Sequence, residues 1–161
     1  MIHKTSLDRT AIVITICVTI LFATIIAGQY SIIKNAGHAI PIYTTTALLL
    51  IYFGAFAFRP INYATTESEL IVDRLLFNVH IKRSAIKSCE VIEGNRIKGS
   101  IRMFGVGGLF GYYGNFSNFS LGCMTWYATR RDKVVLIRTL DNRNIIFTPD
   151  DPKKFVAELS S

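Results

Sequence analysis

Hydrophobic and polar positions change their pattern sharply along the chain. From Thr10 to Ile33 no charged residue occurs, and at ~1.5 Å rise per residue the stretch makes ~36 Å of helix, enough to cross a hydrocarbon core of ~30 Å. A second uncharged stretch, Ala39 to Phe58, is worth ~30 Å. The polar segment around Lys34, Asn35, Gly37 and His38 separates them, so residues 10–58 read as a transmembrane hairpin of two helices behind a tail at 1–9. Pro41 suits the start of the second helix, where a missing N–H does least harm. A cleaved signal peptide is the rival for the first stretch, but such peptides have an apolar region of only ~7 to 15 residues and a small-x-small cleavage site. The longer stretch here reads as a retained anchor.

Beyond Arg59 the pattern becomes alternation. Phe77, Val79 and Ile81 interleave with Asn78, His80 and Lys82, the period of a strand with one buried and one wet face. Leu70 to Val72, Ile86 to Ile92, Trp126 to Thr129, Val134 to Leu140 and Ile145 to Thr148 are further strand candidates. Asp141-Asn142-Arg143-Asn144 is turn chemistry and predicts a hairpin between the last two. Asp151 as N-cap, Pro152 at the first helical position, and Phe155, Val156 and Leu159 on one face predict a short amphipathic helix at the end. Residues 59–161 therefore read as one α+β domain, a small antiparallel sheet or barrel with a helix packed on it.

Composition sharpens this picture. Half the residues are hydrophobic, 18% are charged, and 18 basic residues face 11 acidic ones for a net charge of +7. A chain both apolar and basic suits a membrane surface as readily as nucleic acid. Lys4 and Arg9 precede the first span, Lys34 lies between the spans, and Arg59 and Arg74 follow the second, which predicts both termini in the cytoplasm. The small residues Ala11, Thr15, Thr19, Ala23 and Ala27 recur every fourth position and allow close approach of the second helix or of a like helix from another copy.

The segment Arg102 to Leu121 carries glycines at 105, 107, 108, 111 and 114 among Phe104, Phe110, Tyr112, Tyr113, Phe116 and Phe119. It fits neither a dinucleotide fingerprint nor a phosphate-gripping loop, because Phe110 stands where a third glycine would be needed and no Gly-Lys-Ser/Thr follows. Two readings compete: glycines permitting bends while aromatics fill the core, or a contact surface of Arg96, Lys98, Arg102, Phe110, Tyr112 and Tyr113 that meets lipid headgroups or protein. The number of aromatics favours at least two of Phe110, Tyr112 and Tyr113 being exposed.

RMFGVGGLFGYYGNFSN, then Leu121-Gly122, WYAT, the Val134 to Thr139 strand and FTPDDPKKFVAEL together resemble the bacterial pleckstrin-homology-like domain family, in particular its membrane-anchored members. The resemblance covers roughly the last hundred residues. It implies a strongly bent antiparallel sheet of about seven strands capped by the C-terminal helix, and a non-enzymatic interaction or oligomerisation module at the bacterial inner membrane. The phosphoinositide loop of eukaryotic pleckstrin-homology domains is not implied, since the corresponding turn, Asp73 to Leu76, carries Arg74 as its only cation.

Catalytic and metal-binding constellations are poor, and no cofactor is expected. His3, His38 and His80 are scattered and assemble no zinc set. Cys17 lies in a span, while Cys89 and Cys123 read as small core residues in a reducing cytoplasm. A Cys89/His80 pair and the carboxylate pairs Glu67/Glu69, Glu90/Glu93 and Asp150/Asp151 are what a small membrane enzyme would have to use. Arg130, Arg131 and Lys133 beside Trp126 and Tyr127 make a basic-aromatic patch, but with a membrane anchor no nucleic acid is expected and anionic lipid accounts for the charge. The sequons at Asn115 and Asn118 carry no consequence in a cytoplasmic domain. The sequence thus predicts an integral membrane protein whose PH-like domain recruits a protein partner or further copies of itself, with an anionic-lipid sensor as the alternative.

Overall fold

A computed structural model describes residues 1–36 and 40–160. The hairpin turn expected at Gly37 and His38 lies outside the described residues. Helix α1 runs Arg9–Ala36 and helix α2 Ile40–Ala57. Strand β1 (Ile2–Lys4) precedes them, and β2 (Asn62–Thr65), β3 (Glu69–Asp73), β4 (Val79–Lys82), β5 (Ile86–Ile92), β6 (Ile101–Gly107), β7 (Tyr112–Asn118), β8 (Gly122–Ala128), β9 (Val134–Thr139), β10 (Asn144–Phe147) and helix α3 (Pro152–Ser160) follow. One sheet has the order β1-β2-β3-β4 and the other β5-β9-β10-β8-β7-β6.

The α+β class and the terminal helix agree with expectation, as do the β9–β10 hairpin and the cap on α3, where Lys154 N–H donates to Asp151 Oδ1 at 3.1 Å. Three features differ. The sheet is not wholly antiparallel, because β10 lies between β9 and β8 and runs parallel to β8. The glycine-rich segment supplies two strands, β6 and β7, beyond the strand candidates that alternation marks. The expected tail is also part of the domain, since β1 pairs with β2, with Ile2 opposite Ala64 and Lys4 opposite Asn62.

Alternation explains how the six-stranded sheet is buried on both faces. Val134 and Leu136 of β9 point to one core with Trp126, Tyr112 and Phe116, while Val135 and Ile137 point to the other with Tyr63, Leu70, Phe147 and Phe155. The second core is covered by the four-stranded sheet and α3. The first is covered by Ile97 and by the start of α1, where Ala11 is fully buried and Leu7 packs alongside. Phe77, expected on the buried face, is 78% exposed with φ 55°, because it belongs to the turn before β4. Val91, within the strand expected over Ile86 to Ile92, is 47% exposed on the edge strand β5.

Residues 1–8 are fastened along their length. His3 is buried, its ring edge-on to Phe155 at 5.0 Å, and its Nε2 lies 2.9 Å from Glu158 Oε2. Thr65 Oγ1 donates to Glu158 Oε1, and Asp150 Oδ1 accepts from the Ser6 amide at 3.1 Å and hydroxyl at 2.6 Å. Burial pushes the Glu158 carboxyl up, but the hydrogen bonds from Thr65 and His3 outweigh it and hold the group below its ordinary value. Asp150 behaves likewise, with Ser6 and Arg130 outweighing its desolvation. A depressed folded value contributes stability above the unfolded carboxylate range that is lost as pH falls through the folded one. The thermal midpoint is therefore expected to stay level from neutral pH to about 5 and to drop below about 4. Glu158→Gln should lower the midpoint at pH 7 and flatten that acid limb; an unchanged limb would remove Glu158 from the account.

Candidate functional site

The glycine-aromatic segment folds into the β6–β7 hairpin and its connecting loop, and it packs on the helices. Phe110 is 7% exposed, Tyr112 0% and Tyr113 6%. This corrects the expectation of an exposed aromatic surface. Phe110 meets the rings of Tyr52 and Phe56 edge-on, at 5.1 and 5.3 Å, and its amide donates to Thr15 Oγ1 at 2.9 Å. Gly108 sits so close to α1 that a Cβ there would come within 2.5 Å of Ile14 Cδ1. The small-residue stripe of α1 is thereby used in part: Thr15 receives the loop, and Thr19 Oγ1 lies 2.8 Å from the Tyr52 hydroxyl of α2.

The domain also supplies the polar groups that the two helix ends lack. At the start of α1, Asp8 Oδ1 accepts from the Ala11 amide at 2.7 Å as an N-cap and from the Tyr112 hydroxyl at 3.2 Å. At the end of α2 the Arg59 amide bonds to Phe56 O, and the Ala55 carbonyl accepts from the Tyr113 hydroxyl instead. The Ala57 carbonyl accepts from the Leu76 amide at 3.2 Å. Burial, reinforced by the Asp8 carboxylate, pushes the Tyr112 hydroxyl up to about 12, and burial also raises Tyr113, against the fields of Arg74 and Arg59. Both therefore stay protonated and act as donors at neutral pH. Asp8→Ala removes the α1 cap and the Tyr112 partner together and should cost about 1 to 2 kcal/mol in thermal unfolding. A loss near zero would mean water replaces both bonds.

The remaining candidates are separated. Arg96 and Lys98 flank Ile97 in the link between β5 and β6, and Lys98 lines an open groove of about 620 Å³ with Glu93, Ser100, Trp126 and Asp132. Arg102, on β6, lines a different groove of about 900 Å³ between the end of α2 and the β6–β7 hairpin, together with Arg74, Phe58, Met103 and Phe104. The exposed large apolar residues of the segment are Met103, Phe104 and Phe119, with Ile101 just before it. Ile101, Met103 and Phe104 are exposed because β6 is an edge strand with a bulge at Met103, and Phe119 because it lies in the turn between β7 and β8.

The alternative chemistries are engaged otherwise. His80 Nδ1 lies 2.9 Å from Glu69 Oε2 on an exposed strand face, and burial together with Glu90 pushes the Cys89 thiol up to about 12, away from nucleophilic reactivity. Glu90 pairs with Arg138 at 3.5 Å, Asp150 is held by Ser6 and Arg130, and Asp151 caps α3. Among the described residues no group of three or more His, Cys, Asp or Glu is placed to hold a metal. The basic-aromatic patch does not form either. Arg130 is bidentate to Asp132, at 2.6 and 2.7 Å, Arg131 lies over the Tyr112 ring, Lys133 donates to the Asp150 carbonyl, and Trp126 is buried.

Comparison with known proteins agrees with this architecture: a sequence model described as Bacterial PH domain matches residues 61–161. The chain belongs to the bacterial PH domain family. No curated protein and no solved structure matches it. The match begins just before β2, so β1 and the helix pair lie ahead of the matched region while being bonded into the PH domain.

Proposed function

We propose that the chain is a membrane-anchored, non-enzymatic interaction module. In this reading a two-span hairpin holds the PH domain at the cytoplasmic face of the bacterial inner membrane, with both termini cytoplasmic, for assembly with a partner protein or with further copies of itself. The observation that carries it is the outer surface of the helix pair. Within residues 9–30 of α1 an 18-residue window has a mean hydropathy of 2.6 and only 6% of that window is buried in the protein, and Pro41–Ala57 forms a shorter apolar helix. Ile16, Ile20, Leu50 and Phe53 stand more than half exposed, an apolar surface that requires lipid or protein cover.

The β1–β2 pairing supports a hairpin over a single span. Residues on either side of the helix pair are hydrogen-bonded in one sheet, so a chain that crosses along α1 has to return along α2. At 18 residues, α2 is ~27 Å long, close to the ~30 Å of a hydrocarbon core. Thr44 and Thr45 donate to Gln29 Oε1, at 3.1 and 2.5 Å, closing the far part of the pair with the kind of polar contact that holds helices together in lipid.

The protein is expected to stay in the membrane fraction through alkaline carbonate. With the exposed Cys17 and Cys123 replaced by serine, a cysteine from Asn35→Cys should be labelled from outside intact cells and one from Ser160→Cys spared. Release by carbonate would end the anchoring reading, and the opposite labelling pattern would invert the topology. Light scattering of the detergent-solubilised chain then separates a single copy from an assembly.

A further inference from the structure

The groove between α2 and the β6–β7 hairpin combines two properties that one ligand class satisfies together. Its walls are apolar where α2 contributes Ile51 and Gly54, where Phe58 follows the helix, and where β6 contributes Met103 and Phe104, and they carry Arg74 and Arg102 with no carboxylate. The guanidinium groups of Arg74 and Arg102 make no hydrogen bond or ion pair among the described residues, whereas Arg130, Arg138 and Arg143 each meet a carboxylate. Arg74 lies over the Tyr127 ring at 4.8 Å, and its Nε is buried without an acceptor. A third cation, Arg59, stacks at 4.4 Å on Phe56 beside the end of α2.

A buried guanidinium nitrogen that lacks an acceptor is costly, and an anion relieves it. The apolar wall excludes a small soluble anion as a sufficient occupant, since Ile51, Phe58, Met103 and Phe104 would remain uncovered. The wall is continuous with the exposed face of α2, and Arg102 also lines a neighbouring groove of about 450 Å³ bounded by Ile14, Val18 and Leu50 of the helices. Arginines at the end of an apolar helix are placed as cations that meet phosphates at a bilayer surface.

We infer that this groove is a binding site for one anionic phospholipid, its phosphate held by Arg74 and Arg102 and an acyl chain laid along Ile51, Gly54 and Phe104. The inference rests on the anchoring proposed above and adds a specific lipid to it. The lipid would link α2 to β6 and so fix the PH domain against the bilayer.

The test uses the full chain in mild detergent, with phosphatidylglycerol and phosphatidylcholine of matched chains offered together, bound lipid read by native mass spectrometry and stability by the thermal midpoint. Phosphatidylglycerol is expected to be retained about tenfold over phosphatidylcholine, to raise the midpoint, and to lose this preference as salt rises. Two variants should abolish it: Arg74→Gln with Arg102→Gln, which removes the charge, and Gly54→Leu, which fills the groove. Gly54 has open space where a Cβ would stand, and leucine favours the helix more than glycine, so that variant keeps the fold even where the double arginine change does not. Arg138→Gln, on an exposed pair with Glu90, should leave the preference intact.

Equal retention of the two lipids overturns the proposal. So does a preference that survives both groove variants, displacement by soluble glycerol phosphate at the lipid's own concentration, or a second copy of the chain occupying the groove irrespective of lipid. Carbonate extraction of the same membranes separates the two levels. A carbonate-resistant protein with no lipid preference removes the site and leaves the anchor, and a carbonate-released one removes both.

Discussion

Replacing Tyr112 and Tyr113 together by serine is expected to remove at least ~5 kcal/mol, most of the ~5 to 15 kcal/mol that a domain possesses. Adjacent residues of β7 point to opposite faces, so the pair serves two interfaces. Tyr112 enters the core with Trp126 and Leu136, its ring under the Arg131 guanidinium at 4.2 Å and its hydroxyl on the α1 cap. Tyr113 points to α2 and donates to the Ala55 carbonyl. Each truncation leaves a cavity of aromatic size, worth ~3 to 5 kcal/mol in a well-packed core. The serine at 112 also leaves Asp8 without that partner. Urea unfolding of the solubilised protein checks this, and a change within ~0.5 kcal/mol would return the rings to the surface.

The second large effect is expected at Gly114. Gly105 and Gly114 face each other across β6 and β7, with φ of 110° and 119°. A Cβ on Gly114 would lie 2.3 Å from Phe104 O and 2.8 Å from Gly105 Cα, and one on Gly105 would meet Tyr113 O at 2.3 Å. These obstacles are backbone atoms, so a side chain at either position separates the strands. Gly114→Val combines that collision with a backbone conformation which residues bearing a Cβ rarely adopt, and should cost at least ~3 kcal/mol. Hydrogen exchange in β6 and β7 should accelerate before it does in β9. Retained protection there would show that the hairpin tolerates the wider spacing.

Much of the domain was legible because its signals are local. The Asp151 cap, the turn at Asn142 and the Val79/Ile81 alternation each concern a few neighbouring residues, and each appears in the fold. Phe77 extended that alternation too far, since a turn residue with positive φ leaves no mark in a period-two pattern. The parallel β8–β10 pairing is a long-range choice that periodicity does not encode. The burial of Phe110, Tyr112 and Tyr113 departs from the expectation because that expectation weighs the core volume of the domain alone. Six aromatics exceed what a hundred-residue domain holds by itself, but the ends of α1 and α2 offer further surface, and Phe110 and Tyr113 are spent there. The groove is half legible: Arg74 and Arg102 each stand out in the sequence, while their sharing of one wall depends on the packing of β6 beside α2.

The pairing of β1 with β2 sets an order on biosynthesis. Ile2 leaves the ribosome well before its partner Ala64, which follows only after both apolar helices have been made. The four-stranded sheet therefore closes only after both helices have been made, and a nascent chain stalled before β2 holds β1 unpaired. A fragment that starts at Arg59 would be born without that strand, exposing the edge of β2 and uncovering Phe155 where His3 normally lies. Excising the PH domain for study in water thus calls for grafting residues 1–8 back onto it. In the cell, the same connection ties completion of the sheet to synthesis of both helices, and a chain in which β1 has not docked carries an open strand edge of the kind that quality control reads.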